Sequence, residues 1–306
     1  MNAVVCMFLV AIFCCSGLRA QEMVTGIPSA VTAVTSNGNG VVAASTTGRR
    51  VYLSRDSGKT FVAIDTTDEL RQPLIDSYGF TWFNPGPATM CFDAPNNVLW
   101  ILSMKGWVLC KLDLATGKWS MPLPIDTSCP AVYPYISTIA VGFERTVVVD
   151  YHAGVEGTPC HRIFRSDDLG ETWYRLPDLI DSLPGQAGAG DLVVTADGDV
   201  VASFYSTHPL DEGIFRLSKD STRWTRVLTR KRGIHFVERS GSTIYAGAES
   251  DVYASTDNGN TFNPIHLRLR KNIECLPWRG DTVVFVGRYS NELWTSSFKV
   301  VDTNVL

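Results

Sequence analysis

Residues 54–61 read SRDSGKTF, residues 166–173 read SDDLGETW and residues 255–262 read STDNGNTF, so all three fit Ser-x-Asp-x-Gly-x-Thr followed by an aromatic. Three full matches in one chain are an internal repeat, in which each copy is one supersecondary unit that buries its apolar faces against its neighbours. Weaker copies stand at 112–119 (LDLATGKW), which keeps the glycine and the aromatic, and at 218–224 (SKDSTRW), which is one residue short. The chemistry of the octet is that of a tight hairpin. Its aspartate can accept backbone N–H groups across the turn, its glycine can take the left-handed conformation, and the closing aromatic can pack back between strands.

Outward from each octet the pattern continues. A short β-rich run precedes each copy: Val51-Tyr52-Leu53, Val108-Leu109-Cys110, Ile163-Phe164-Arg165, Ile214-Phe215-Arg216 and Val252-Tyr253-Ala254. A sixth run without an octet stands at Leu293-Trp294-Thr295, and the runs begin 57, 55, 51, 38 and 41 residues apart. Before each run comes another strand-like stretch, led by a turn such as Asn37-Gly38-Asn39-Gly40 or Asp197-Gly198-Asp199, which is a hairpin signal. Units of about 48 residues match one four-stranded propeller blade. The expectation is an all-β chain, a six-bladed β-propeller of four-stranded antiparallel blades, occupying 21–306 as one domain. The sixth unit shows only three strands, so residues 22–28 are expected to supply its fourth and close the ring.

The octets resemble the Asp-box, or bacterial neuraminidase repeat, shared by sialidases, sortilin-type receptor propellers, xyloglucan-active glycosidases and the photosystem II assembly factor. That resemblance implies an octet between the third and fourth strands of a blade, on the rim away from the ligand face. Asp56, Gly58, Asp168, Gly170, Asp257 and Gly259 are therefore expected to serve the fold. Sialidase chemistry would require an Arg-Ile-Pro motif ahead of the first octet. Residues 21–53 hold only Arg49 and Arg50 and no such motif, while Arg162-Ile163-Phe164 runs straight into the third-unit octet. No catalytic residue is assigned. Another glycosidase would need two carboxylates about 5 to 9.5 Å apart, and Glu156, Asp211 and Glu212 are the acids whose loops converge.

Composition narrows the partners. The 306 residues are 45% hydrophobic and 19% charged, as in an ordinary globular chain, and 27 basic against 31 acidic groups offer no excess to neutralise phosphates. Nucleic acid is not expected as a partner, and the one long apolar stretch lies within residues 1–20, so no membrane span is expected in the rest. Residues 1–20 read as a signal peptide cut after Ala20, with a lipid anchor on Cys14 or Cys15 as the alternative. A secreted, periplasmic or extracellular location follows, and the absence of an Asn-x-Ser/Thr acceptor from 21–306 favours a bacterial source.

Five cysteines remain after the signal, so at least one thiol stays free. Cys91 and Cys110 fall on strands separated by a third, about 9.5 Å apart and beyond disulfide reach. Cys129 and Cys160, at the start and in the long loop of the third unit, are the expected pair.

The ligand face is expected opposite the octets, where the two longest connections, 151–162 and 205–213, lie in adjacent units. They carry His152, His161, Arg162 and His208, with Tyr133 and Tyr135 from the preceding linker and Arg288 and Tyr289 from the sixth unit. Aromatics beside cations suit a protein or carbohydrate ligand. No cofactor is expected, and the histidines show no metal-ligand spacing. The expected function is non-catalytic ligand binding, with a glycoside hydrolase and an extracellular assembly factor as alternatives.

Overall fold

The computed structural model describes residues 27, 31–37, 39–46, 51–64, 90–102, 109–122, 135–155, 158–179, 189–204, 213–229, 234, 236–248, 251–265, 273–277, 283–287 and 296–298. The chain divides into two compact units, Met1–Leu123 and Pro124–Leu306. All described regular structure is β, and every strand pairs antiparallel with its neighbour in sequence.

The first unit holds two four-stranded sheets. One is β1 (Val31–Ser36), β2 (Val42–Thr46), β3 (Val51–Ser54) and β4 (Val62–Ile64); the other is β5 (Met90–Asp93), β6 (Val98–Leu102), β7 (Leu109–Asp113) and β8 (Trp119–Ser120). Strand β6 is buried at all five positions, which is why VLWIL reads as a continuous apolar run. Ala43 and Val51 of the first sheet pack with Leu99, Ile101, Cys110 and Leu112 of the second. Cys91 and Cys110 stand on either side of β6, as their strand positions require, and Cys110 is a free thiol. Burial pushes the Cys110 thiol up to about 12, so it behaves as a small core hydrophobe.

The second unit holds three four-stranded sheets and one of three strands. The first of these is β9 (Tyr135–Val141), β10 (Val147–Val155), β11 (Thr158–Ser166) and β12 (Tyr174–Arg175). Next come β13 (Asp191–Val194), β14 (Val200–Phe204), β15 (Gly213–Leu217) and β16 (Thr225–Thr229). The last four-stranded sheet is β17 (Phe236–Ser240), β18 (Thr243–Ala248), β19 (Asp251–Ser255) and β20 (Asn263–Ile265), and β21 (Ile273–Pro277), β22 (Val283–Gly287) and β23 (Ser296–Phe298) form the sheet of three. The run at 293–295 and the stretch expected to complete the last sheet, Ile27 apart, lie outside the described residues.

Side-chain alternation splits the fourth sheet between two cores. Leu192, Val194, Val200, Ala202 and Phe204 pack with Val148 and Ile163 of the third sheet, whereas Val193, Val201 and Ile214 pack with Val237, Ile244 and Tyr253 of the fifth. Polar ties run between the same sheets. Arg165 donates to the Gly198 carbonyl and Arg216 to the Asn258 carbonyl, while within the fourth sheet Arg216 pairs with Asp199.

The three full octets form the turns β3–β4, β11–β12 and β19–β20, each joining the third strand of a sheet to its fourth. In the first, Asp56 Oδ1 accepts from Ser54 Oγ (2.7 Å), Thr60 N (2.9 Å) and Lys59 N (3.1 Å), and Oδ2 accepts from Thr60 Oγ1 (2.6 Å). Ser54 Oγ in turn accepts from Gly58 N at 2.8 Å. Asp168 and Asp257 repeat the set with Thr172 and Thr261. The side-chain hydroxyl and backbone N–H of the threonine, then the serine hydroxyl, hold the Asp168 carboxyl at about 2 and Asp56 lower still. The left-handed glycine is preceded each time by a second left-handed residue, Ser57, Leu169 or Asn258. Of the weaker copies, 112–119 keeps the carboxylate device through Asp113, which accepts from Ala115 N and Thr116 N. In 218–224 the accepting acid is Asp199, from a different turn, which takes Lys219 N at 2.7 Å.

Candidate functional site

The segment 151–162 is a hairpin, not the expected loop. Strands β10 and β11 continue in unbroken register from Val147↔Ser166 to Val155↔Thr158, leaving only residues 156 and 157 between them. The chain here alternates rather than wanders, and a two-residue connection is enough to reverse it. Among the described residues, β9 accompanies β10 as far as the pair His152↔Tyr135, while the β10–β11 ladder continues to Val155↔Thr158 at the end opposite the octet turn.

Register then places the polar side chains. Asp150 and His152 are two residues apart on β10 and share a face, and His161 is the direct cross-strand partner of His152 on that same face. Val148 and Ile163, in the same rows, belong to the core shared with the fourth sheet, so the three polar groups continue an apolar wall. Strand β9 has a bulge opposite the step from Asp150 to Tyr151, and Ser137 there donates Oγ to Asp150 Oδ2 at 2.7 Å. His152 Nε2 lies 2.5 Å from the same oxygen and 3.3 Å from His161 Nδ1, with the two imidazoles edge to face. The Asp150 side chain is 0% exposed and that of His152 is 14% exposed. Asp150 Oδ1 is buried without a hydrogen-bond partner among the described residues. Burial first, then the neighbouring His152 and Arg162, push His161 down to about 4, against the pull of Asp150, so its imidazole is neutral at pH 7. Three donors whose ligand atoms lie within 4.8 Å of one another are a set able to hold a metal ion.

The structure therefore brings His152 and His161 together and separates Arg162 from them. As the cross-strand partner of Tyr151, Arg162 stands on the opposite face, where its guanidinium reaches Asp178 at 3.5 Å. Tyr135 pairs with His152 through the backbone of β9. Cys160 pairs with Ala153 on the hairpin, and its side chain is outside what is described. Tyr133, His208, Arg288, Tyr289 and Cys129 lie outside the described residues, as do Glu156, Asp211 and Glu212.

Asp150 lies just before the connection 151–162 and so falls outside the stretch in which the sequence places the ligand residues. The available signal was symmetry: His152 and His161 stand equally far from the Glu156-Gly157 pair, and glycine at the second position of a two-residue connection marks a hairpin.

A second acidic cluster lies between β9, β13 and β17. Asp191 accepts from Leu192 N (2.9 Å), Thr138 Oγ1 (3.2 Å) and Val237 N (3.2 Å). Burial raises Asp191, and burial together with the Asp191 charge raises Glu238. These donors come from three adjacent first strands, which makes the cluster a structural tie.

No family model matches the chain, and no curated protein matches it. Among the solved structures similar to it is YCF48 bound to D1 peptide, at 15% identity and a TM-score of 0.52, covering 84% of this chain and 74% of that one. A chain of the nidogen/laminin complex is similar at 13% identity and a TM-score of 0.50, covering 80% of this chain and 84% of that one. Among the described residues no helix is long and apolar enough to cross a membrane. At these identities the likeness is one of fold, and the fold is a β-propeller.

Proposed function

We propose that this chain is a secreted, six-bladed Asp-box propeller that binds a protein partner through an extended segment, at the blade ends opposite the octet turns, without chemical change. One observation carries the reading: β11 has nine residues, but β12 pairs only with Phe164 and Arg165. Among the described residues, positions 158–161 have a strand neighbour on the β10 side alone. An open strand edge is a template for an added strand, whose main-chain hydrogen bonds give affinity and whose alternate side chains give specificity. A similar fold seen with a bound peptide supports the choice of partner class. Location rests on residues 1–20 and predicts a mature chain beginning at Gln21.

The test is to shorten the hairpin by replacing residues 153–160 with Asn-Gly, which joins His152 to His161 in their existing register. Selection from a displayed peptide library, followed by anisotropy titration, should yield peptides that bind the native chain and lose at least about tenfold in affinity for the shortened one. Equal binding by both proteins overturns the edge as the site. Binding on a glycan array in place of peptides would favour a carbohydrate ligand.

A further inference from the structure

The contacts that His152 makes with Asp150 and with His161 do not both close as hydrogen bonds. An imidazole nitrogen offers one in-plane direction, either a lone pair or an N–H. His152 Nε2 nevertheless meets both Asp150 Oδ2 at 2.5 Å and His161 Nδ1 at 3.3 Å. If its proton goes to the carboxylate, His161 Nδ1 faces an atom with nothing left to accept or donate. A cation among the three satisfies all of them through lone pairs. The separation of 3.3 Å between the two nitrogens fits the edge of a tetrahedron whose centre lies about 2.0 Å from each imidazole nitrogen. Asp150 can join with either oxygen, and Oδ1 is buried and lacks a partner among the described residues.

We propose that Asp150, His152 and His161 form a binding site for a divalent transition metal of the zinc class. Two imidazoles and one carboxylate select such an ion over calcium and magnesium, which take oxygen ligands. Three protein donors leave at least one coordination position for water or for a group on a partner. The scaffold is rigid: Asp150 and His152 share one strand, His161 is held opposite by an unbroken ladder, and Ser137 orients the carboxylate from the bulge. The site is independent of the peptide reading, because its donors are side chains on the face that carries Val148 and Ile163, while the open edge is the main chain of β11 at 158–161.

The full chain, stripped with a chelator and dialysed, is titrated with Zn2+ by calorimetry and with Co2+ by visible absorption. The expected result is about one equivalent of Zn2+ bound and intense d–d bands of low-coordinate Co2+, with millimolar Ca2+ failing to compete. His152→Ala and His161→Ala should each weaken Zn2+ binding about 100-fold or more, and Asp150→Asn by about tenfold or more. Variants at a buried cluster can misfold, so imidazole 15N spectra of the native chain give a separate readout. Zn2+ should shift the His152 Nε2 and His161 Nδ1 resonances. Absence of stoichiometric Zn2+ binding, unmoved imidazole resonances, folded histidine variants that bind as the native chain does, or displacement of Zn2+ by Ca2+ would each overturn the assignment.

Discussion

At one end of the third sheet, Asp168 lies in the β11–β12 turn, and its carboxylate accepts from Ser166 Oγ, Thr172 N and Thr172 Oγ1, all within four residues. At the other end, Asp150 takes Ser137 Oγ from β9, faces His152 along β10, and keeps one buried oxygen without a partner among the described residues. The first acid is a local device that goes wherever its octet goes. The second is assembled by strand register, and its remaining acceptor capacity suits it to an ion. A polar group closed on its own turn reads as architecture; one left open inside a wall of side chains reads as a site.

The largest expected effect falls at the octet end. In Gly259→Ala the new methyl must adopt φ near +79° and would sit 2.6 Å from Val201 Cγ2 of the neighbouring sheet. A stability loss of about 2 to 4 kcal/mol is expected in urea unfolding. Gly117→Ala, at φ +72° with nothing within 4 Å, should lose only about 1 kcal/mol. Equal losses would show that backbone conformation, not the packing of turn against sheet, sets the cost.

Next comes Ser166→Ala, which removes the acceptor of the buried Gly170 N–H at 2.7 Å. An orphaned buried donor costs about 1 to 3 kcal/mol, read as a lower denaturation midpoint at unchanged slope. The contrasting change, the Asn-Gly shortening of the hairpin, should cost less than about 1 kcal/mol, because among the described residues the strand pairs of 153–155 and 158–160 are with each other alone. A large loss there would mean that the projecting hairpin supports the fold.

In pH dependence the two expected effects have opposite signs. Asp168 is depressed to about 2, so its contribution is present above the ordinary carboxylate pKa of about 3.9 and is lost as pH falls through about 2. Glu238 is raised from 4.5 to about 8, chiefly by burial and then by Asp191, so its contribution is present below 4.5 and is lost as pH rises through about 8. Unfolding midpoints measured across pH should show both limbs. Asp168→Asn should flatten the acidic limb and Glu238→Gln the alkaline one; unchanged limbs in these variants would reassign the titrating groups.

Much of the architecture was legible in the sequence because its signals are local. The octet places Ser, Asp, Gly and Thr within seven residues, and their mutual hydrogen bonds require no other part of the chain. Hence the turn positions, the strand runs before them and the separation of Cys91 from Cys110 could all be read directly. The paired histidines were visible as candidates but were placed on a loop, and Asp150 was not seen at all. Arg162 was grouped with them by proximity in sequence, although alternation along β11 turns it to the other face.

By itself, the sequence determined that the chain is a repeat of β-hairpin units, because side-chain periodicity and turn chemistry act over a few residues. Only the tertiary structure decided which polar groups meet. Ladder register across β10 and β11, a one-residue bulge in β9 and the packing of the third sheet on the fourth set the convergence of Asp150, His152 and His161. A slip of one residue in that register would turn each side chain of the slipped strand to the opposite face, and no short stretch of sequence encodes it.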